Sequence, residues 1–367
     1  MKTSVAGAVV CCASATSGFA RPQAFRNRSQ LKPTREAMFW KPLGNGRVQC
    51  TICPNQCTVA EGESTFCNSR INYDGKLQSL TYSRPCMLSI DSLAKNPLYH
   101  VDPGQNAIGI ATAGCNLTCK YCQNWDISQT GPWETRNMDV SPANLIAKVK
   151  KRNLRWITFS YTEPTAYFEY ALYVARLAKK NRIHVAICTA GYINERPLRE
   201  LMKYTDAFSV TLKGYDKDFY RDVCGCNLDT VWRSIKTISQ SDCWMEVVNL
   251  VVPGLNDETE GFRSIARSLA GLDKEIPLHF LRFSPAFKLK HLQPTPIKTL
   301  ERAHKIAQDE GLCHVYIDLS GHASSRTICS RCGEVLIERA GFRLISNRLK
   351  NGRCPKCHKS LPGPNIS

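Results

Sequence analysis

The sequence predicts an α/β protein, a partial or full (β/α) barrel flanked by cysteine-rich metal modules. Three observations predict it. From residue 107 onward, short apolar strands alternate with longer amphipathic helices. No glycine-rich dinucleotide loop follows the first of these strands, which counts against a doubly wound open sheet. Eleven of the nineteen cysteines fall into three groups at metal-ligand spacing, one directly after the first strand and one on either side of the alternating region.

The predicted strands are 107–111 (AIGIA), 155–161 (RWITFSY), 183–188 (IHVAIC), 207–212 (AFSVTL), 245–252 (MEVVNLVV), 278–283 (LHFLRF) and 314–319 (HVYIDL). Helical patterns lie between them. Ser141 followed by Pro142 reads as an N-cap with proline in the first helical position. Asp257 and Glu260 have the spacing of a capping box, after which Phe262, Ile265, Ala266 and Leu269 make one apolar face. Pro296 after Thr295 opens another helix, with Leu300, Ala303 and Ala307 on one side. Six or seven βα repeats make a parallel sheet covered by helices, with its chemistry in loops at the strand C-terminal ends.

The chain is expected to divide into a targeting segment (1–35), an N-terminal four-cysteine module (44–106), the barrel core (107–322) and a C-terminal zinc-ribbon-like module (323–367). Residues 1–35 carry Lys2, Arg21, Arg26, Arg28, Lys32 and Arg35 with no acid, behind the apolar run AGAVVCCASA. That texture fits import, and the SGFARP cue resembles bipartite plastid presequences. An organelle, plastid or mitochondrion, is the expected location, with the cytoplasm second. No stretch approaches 18 apolar residues, so no membrane contact is expected. The formal charge of +18 includes those six basic residues and ignores deprotonation of metal-bound thiols. Nine Lys/Arg against two Glu from Arg326 onward read as positive neighbours for thiolates rather than as a nucleic-acid surface.

Cys115, Cys119 and Cys122 stand in C-x3-C-x2-C order straight after the first strand. Three thiolates in eight residues can wrap one corner of a cubane and leave the fourth iron open. A structural metal would need a fourth ligand, and Cys86, Cys188, Cys224 and Cys226 are available. Cys50, Cys53, Cys57 and Cys67 give four ligands within 18 residues, for zinc or an auxiliary cluster; spacing cannot choose, and zinc bracing an irregular lid is preferred. Cys329-x2-Cys332 and Cys354-x2-Cys357 read as a zinc ribbon, with His322 and His358 as neighbouring substitutes.

These motifs resemble the radical SAM superfamily. The segments CTICPNQCTVAEGESTFC (50–67), KNPLYHVDPG (95–104), ATAGCNLTCKYCQNWDISQ (111–129), SYTEPT (160–165) and VVPGLND (251–257) are similar to its AmmeMemoRadiSam group, named for association with the AMMECR1 and Memo proteins and related to pyruvate formate-lyase activating enzyme-like proteins. The likeness covers about residues 47–361.

The resemblance implies a barrel of the radical SAM type and a [4Fe–4S] cluster whose open iron is chelated by S-adenosylmethionine (SAM). It also implies reductive cleavage to a 5′-deoxyadenosyl radical and hydrogen abstraction from an unidentified substrate, a protein glycyl group among the options. Glu163 would hold the methionyl amine, although a helix-start glutamate beside Pro164 explains it too; Tyr161 and Thr162 replace the family's paired glycines. Lys213, in TLKGY, aligns with a lysine that reaches the SAM carboxylate or the substrate. Thr211 stands where an aspartate is expected, and a plain rim lysine is the other reading. Tyr121, Thr189, Gly191 and Arg282 complete the cofactor candidates, Arg282 alternatively pairing with a rim carboxylate. Ferredoxin or flavodoxin as reductant, and a protein substrate or a Memo/AMMECR1-type partner, follow from the same likeness. The alternative is a metal-stabilised protein- or nucleic-acid-binding scaffold without catalysis.

Overall fold

The computed structural model describes residues 23–24, 31–317 and 324–364. The rest of residues 1–30, and His322, lie outside them.

The centre is an eight-stranded sheet whose strands stand in sequence order. They are β1 (Met87–Ser92), β2 (Asn106–Ala111), β3 (Trp156–Phe159), β4 (His184–Thr189), β5 (Ala207–Thr211), β6 (Trp244–Val251), β7 (Leu278–Arg282) and β8 (Val315–Ile317). Every neighbouring pair from β2 to β8 is parallel, and β1 joins β2 antiparallel with Met87 opposite Ala111. Among the described residues β1 and β8 do not pair, so the barrel is partial. Each predicted strand is present within a few residues. The antiparallel edge lay in a stretch read as irregular.

Helices cover the outside: α1 (Pro142–Lys151), α2 (Phe168–Lys180), α3 (Glu195–Met202), α4 (Leu228–Ser239), α5 (Thr259–Ala270) and α6 (Ile297–Asp309). Ser141 caps α1, its hydroxyl accepting the Asn144 N–H at 3.2 Å, with Pro142 inside the first turn. Phe262, Ile265, Ala266 and Leu269 are buried as predicted, the larger ones contributing roughly 1.5–3 kcal/mol each.

The expected capping box does not form. Asp257 Oδ1 instead accepts the Gly254 N–H at 2.8 Å, closing the turn before α5, and Glu258 takes the cap position without a side-chain bond. The turn uses the acid first because Gly254, at φ +72°, aims its N–H back at it.

The N-terminal module packs on α2 through a buried ion pair. Arg70 Nη2 lies 3.0 Å from Glu169 Oε1, with side chains 1% and 0% exposed, and the same oxygen accepts the Met38 N–H at 2.8 Å. Removing one partner strands a desolvated charge. Glu169→Ala is therefore expected to cost about 3–5 kcal/mol, read as a lowered Tm. A loss under about 1 kcal/mol would mean that Arg70 escapes to water.

The C-terminal module docks at the opposite end of the barrel, where strands begin. Arg339 donates to the Tyr99 carbonyl and lies 4.5 Å over the Tyr99 ring. His100 Nδ1 bonds the Pro362 carbonyl at 2.8 Å and Nε2 the Tyr316 hydroxyl at 2.7 Å. Glu246, fully buried, accepts the Tyr99 and His100 N–H groups and pairs with His279 at 2.7 Å.

This seam is acid-sensitive. Burial holds the His100 pKa down at about 3, against an ordinary 6.5, so the unfolded chain takes up a proton that the folded one refuses. Its contribution is intact above pH 6.5 and drains away as the pH falls towards 3. Burial pushes the Glu246 pKa up, but the His279 hydrogen bond and charge outweigh that and hold it at about 2, against an ordinary 4.5. Its contribution is likewise lost below about 4.5, in the same direction. Going from pH 6.5 to 5 is expected to cost about 2 kcal/mol through His100 alone. Melting across that range should be flatter in His100→Gln; equal slopes would remove His100 as the cause.

Candidate iron–sulfur and cofactor site

The residues with chemical potential gather at the C-terminal ends of β2 to β5. The chain leaves β2 at Ala111 and turns at Gly114, where φ is +94°. A Cβ there would lie 2.2 Å from the Cys67 carbonyl oxygen, so glycine is required twice over, by dihedral and by contact. The loop is then latched to a π-helical turn, Tyr220–Cys224. Thr118 N–H donates to the Cys224 carbonyl at 3.0 Å and Lys120 N–H to the Val223 carbonyl at 2.9 Å. Gly225, with φ +69°, ends that turn against Thr118, whose hydroxyl would meet an added Cβ at 2.0 Å.

Cys119 is buried, and Cys115 and Cys122 are half-buried. Their sulfurs do not converge within the 4.8 Å that a single ion would draw together, which suits a cubane. Cys119 carries the most acidic of the three thiols. A hydrogen bond from Cys224 and the nearby Lys213 ammonium hold its pKa at about 6 in spite of burial. Burial and the Glu163 charge push Cys115 up, and burial does the same to Cys122, where Ser128 Oγ lies 3.2 Å from the sulfur.

The possible fourth ligands sort themselves. Cys224 bonds to the Cys119 sulfur and to Tyr121 Oη at 3.5 Å, too near a ligand thiolate to serve a different iron. Burial pushes Cys86, Cys188 and Cys226 up to about 12, as it also pushes up Cys115, so their contacts rather than their acidity distinguish them. Cys86 faces the Ala111 carbonyl at 3.7 Å and Cys188 the Asn96 side chain at 3.6 Å. The three-thiol loop thus fits a cluster with one iron left for a ligand.

Glu163 follows β3 and is 4% exposed. Its Oε1 accepts Thr189 Oγ1 at 2.6 Å and Thr165 Oγ1 at 3.0 Å, while Oε2 accepts the Ala190 N–H at 2.8 Å. It also caps the short helix at Pro164–Tyr167, so both readings of this glutamate hold at once. Lys213 is buried, not a solvated rim lysine. Its N–H donates to Tyr220 Oη at 2.9 Å, and its ammonium sits 5.7 Å from the centre of the Tyr121 ring. Burial pulls its pKa down, and the surrounding thiols, Cys119 first, outweigh this and raise it. Tyr121 stacks on Phe219 and walls the cluster loop.

Two further candidates bond within the protein. Gly191 N–H donates to Thr189 Oγ1 at 2.9 Å and its carbonyl accepts Ser234 Oγ at 2.7 Å, so neither group is held out for a ligand. Arg282 Nε donates to the Thr295 carbonyl at 2.9 Å, where a rim carboxylate was the alternative partner. Tyr161, noted in the sequence only as a replacement for a family glycine, has contacts that the sequence did not foretell. It holds φ +67°, rare for an aromatic residue, with its hydroxyl donating to Asp91 and 2.9 Å from Ser89 Oγ. Its position in place of a family glycine was the available signal.

The Radical SAM superfamily profile matches residues 110–264, from the end of β2 into α5. An uncharacterized protein of Methanocaldococcus jannaschii is 38% identical over 331 residues, 89% of this chain and 98% of its own. The pyruvate formate-lyase-activating enzyme of Clostridium pasteurianum is 27% identical over 48% of this chain and 76% of its own. The isethionate sulfite-lyase activating enzyme of Oleidesulfovibrio alaskensis is 25% identical over 62% and 76%. Among solved structures, a domain of a pyruvate-formate lyase-activating enzyme from Bacteroides vulgatus overlaps with a TM-score of 0.40 at 19% identity, covering 44% of this chain and 96% of that one. With the superfamily profile lying over the cysteine loop and a relative aligned along nearly the whole chain, this protein belongs to the radical SAM superfamily.

Proposed function

We propose that this radical SAM enzyme is of the activating type, within the AmmeMemoRadiSam group, and draws hydrogen from a glycyl group of a partner protein. The activating-enzyme relatives that align over the barrel support that substrate class. In this reading Cys115, Cys119 and Cys122 hold the [4Fe–4S] cluster, Glu163 receives the SAM amine and Lys213 the SAM carboxylate. One observation carries it: a wide three-thiol loop shares one barrel mouth with a buried carboxylate and a buried ammonium, the charge pair that an amino-acid zwitterion needs.

When bound, the reduced cluster supplies one electron that cleaves SAM into methionine and the 5′-deoxyadenosyl radical. The chain's own contribution is placement. Thr189, Thr165 and the Ala190 amide fix the Glu163 carboxylate, and Oε2, with one donor, keeps acceptor capacity for an ammonium. Tyr121 and Phe219 shield Lys213 from water, which strengthens its pull on an anion.

A low-potential ferredoxin or flavodoxin fits as reductant, and a Memo- or AMMECR1-type protein as partner. Zinc suits the C-terminal quartet, whose four sulfurs converge within 4.8 Å. The basic, acid-free stretch at 1–35 supports import into a plastid or mitochondrion.

Anaerobic reconstitution tests the assignment. SAM and dithionite should yield 5′-deoxyadenosine, and deuterium from a glycine-labelled partner should appear in it. A fully loaded cluster giving no 5′-deoxyadenosine would defeat the cofactor roles. Deuterium arriving only from a small molecule would defeat the glycyl assignment.

A further inference from the structure

The two outer cysteine quartets have different shapes. Cys329 and Cys357 sulfurs are 3.5 Å apart, and Cys332 and Cys354 sulfurs 3.6 Å. One zinc with about 2.3 Å bonds in a tetrahedron spaces its sulfurs by about 3.8 Å, so that quartet is drawn in around a single ion. Among the described residues it is also the only group that brings three or more ligand atoms within 4.8 Å of one another. Cys50, Cys53, Cys57 and Cys67 belong to one module, in which Cys50 N–H bonds the Cys57 carbonyl at 2.9 Å, yet no three of their ligand atoms come that close. Cys115, Cys119 and Cys122, which lie inside the superfamily match and are read above as the cubane ligands, likewise do not converge within 4.8 Å.

From this contrast, we propose that Cys50, Cys53, Cys57 and Cys67 hold a second iron–sulfur cluster, of the [4Fe–4S] class, in place of the zinc preferred as a brace for the lid. A cubane carries its thiolates outside four irons and therefore holds them farther apart than one ion does.

The surroundings point the same way. Cys67 Sγ lies 2.9 Å from Ser69 Oγ and 3.2 Å from Thr65 Oγ1, and Cys50 Sγ accepts from Arg70 Nη1 at 3.3 Å. These are hydrogen bonds of the kind that tune cluster sulfurs. Arg70 has 0% exposure, and its Nε has no hydrogen-bond partner. A buried guanidinium with a spare donor, already reaching one thiolate, is suited to inorganic sulfide, an acceptor that a lone zinc does not bring.

The quartet also sits directly against the three-cysteine loop. The Cys67 carbonyl is the atom that Gly114 must avoid, and Asn55 Nδ2 donates to the Asn116 carbonyl at 3.0 Å. Gly114 and Asn116 flank Cys115. The two cysteine sets therefore share a wall.

Metal counting on the full chain tests this before any SAM is added, so the result is independent of the radical reading. Anaerobic reconstitution with iron, sulfide and zinc should give about eight irons, about eight sulfides and about one zinc per chain. Cys115→Ala/Cys119→Ala/Cys122→Ala should retain about four irons and, after reduction, the paramagnetic signal of a [4Fe–4S] cluster. About four irons with two zincs in the unmodified protein would overturn the proposal, and this count decides even if the triple variant fails to fold. So would a soluble triple variant carrying zinc and no iron.

Discussion

Cys119→Ser is expected to lower 5′-deoxyadenosine formation by roughly a thousandfold, about 4 kcal/mol in activation free energy. Three features single out this cysteine among the three. It is the most buried, it is the one beside the Lys213 ammonium, and its pKa of about 6 makes it the thiol most readily delivered to iron as thiolate at neutral pH. A serine hydroxyl keeps the size but stays protonated and is a harder, weaker ligand for iron of this kind. The Cys224 hydrogen bond would then point at an alcohol, with no thiolate charge to stabilise. Iron content read beside the product separates the causes: loss of both means the cubane does not assemble, and loss of product alone means that it assembles in the wrong state. Product within tenfold of the unmodified protein would remove Cys119 from the ligand set.

The parts of this protein legible in its sequence are those written locally. A strand that must be buried on both faces appears as an apolar run, and RWITFSY and MEVVNLVV did so. Three thiols in eight residues can only form one loop. The parts that stayed hidden depend on residues far apart in the chain. Met87–Ser92 is only half-buried and reads as polar, so its place as an antiparallel edge is set by β2 rather than by its own pattern. Arg70 and Glu169 are 99 residues apart, and nothing at either position announces the other. The latch between the cluster loop and the turn before Gly225 spans a similar distance; the C-G-C at 224–226 is its visible trace, and in the sequence it offers only two spare ligands. Asp257 shows the converse failure. Its capping spacing was real, but a glycine three residues back offered a nearer N–H.

Gly114→Ala is the second large effect, and it tests the contact that joins the N-terminal module to the radical site. Alanine at φ +94° carries a conformational penalty of about 1–2 kcal/mol. Its Cβ would also lie 2.2 Å from the Cys67 carbonyl oxygen, a backbone atom that no rotamer change can move. Forced repacking of that kind adds about 1–3 kcal/mol. The combined loss, about 2–5 kcal/mol, is expected together with reduced iron content, because the only relief is to shift Cys67 or Cys115, each in a predicted ligand set. Gly254→Ala is the matched control, with φ +72° and nothing within 4 Å of the new Cβ. It should cost about 1–2 kcal/mol and leave the iron untouched. If the two variants melt alike and load alike, the close approach between the module and the cluster loop is not a feature of the folded protein in solution. If only Gly114→Ala loses iron, then the module does more than cover the barrel: it sets where the three-cysteine loop lies, and the glycine is the hinge-point at which the two are held together.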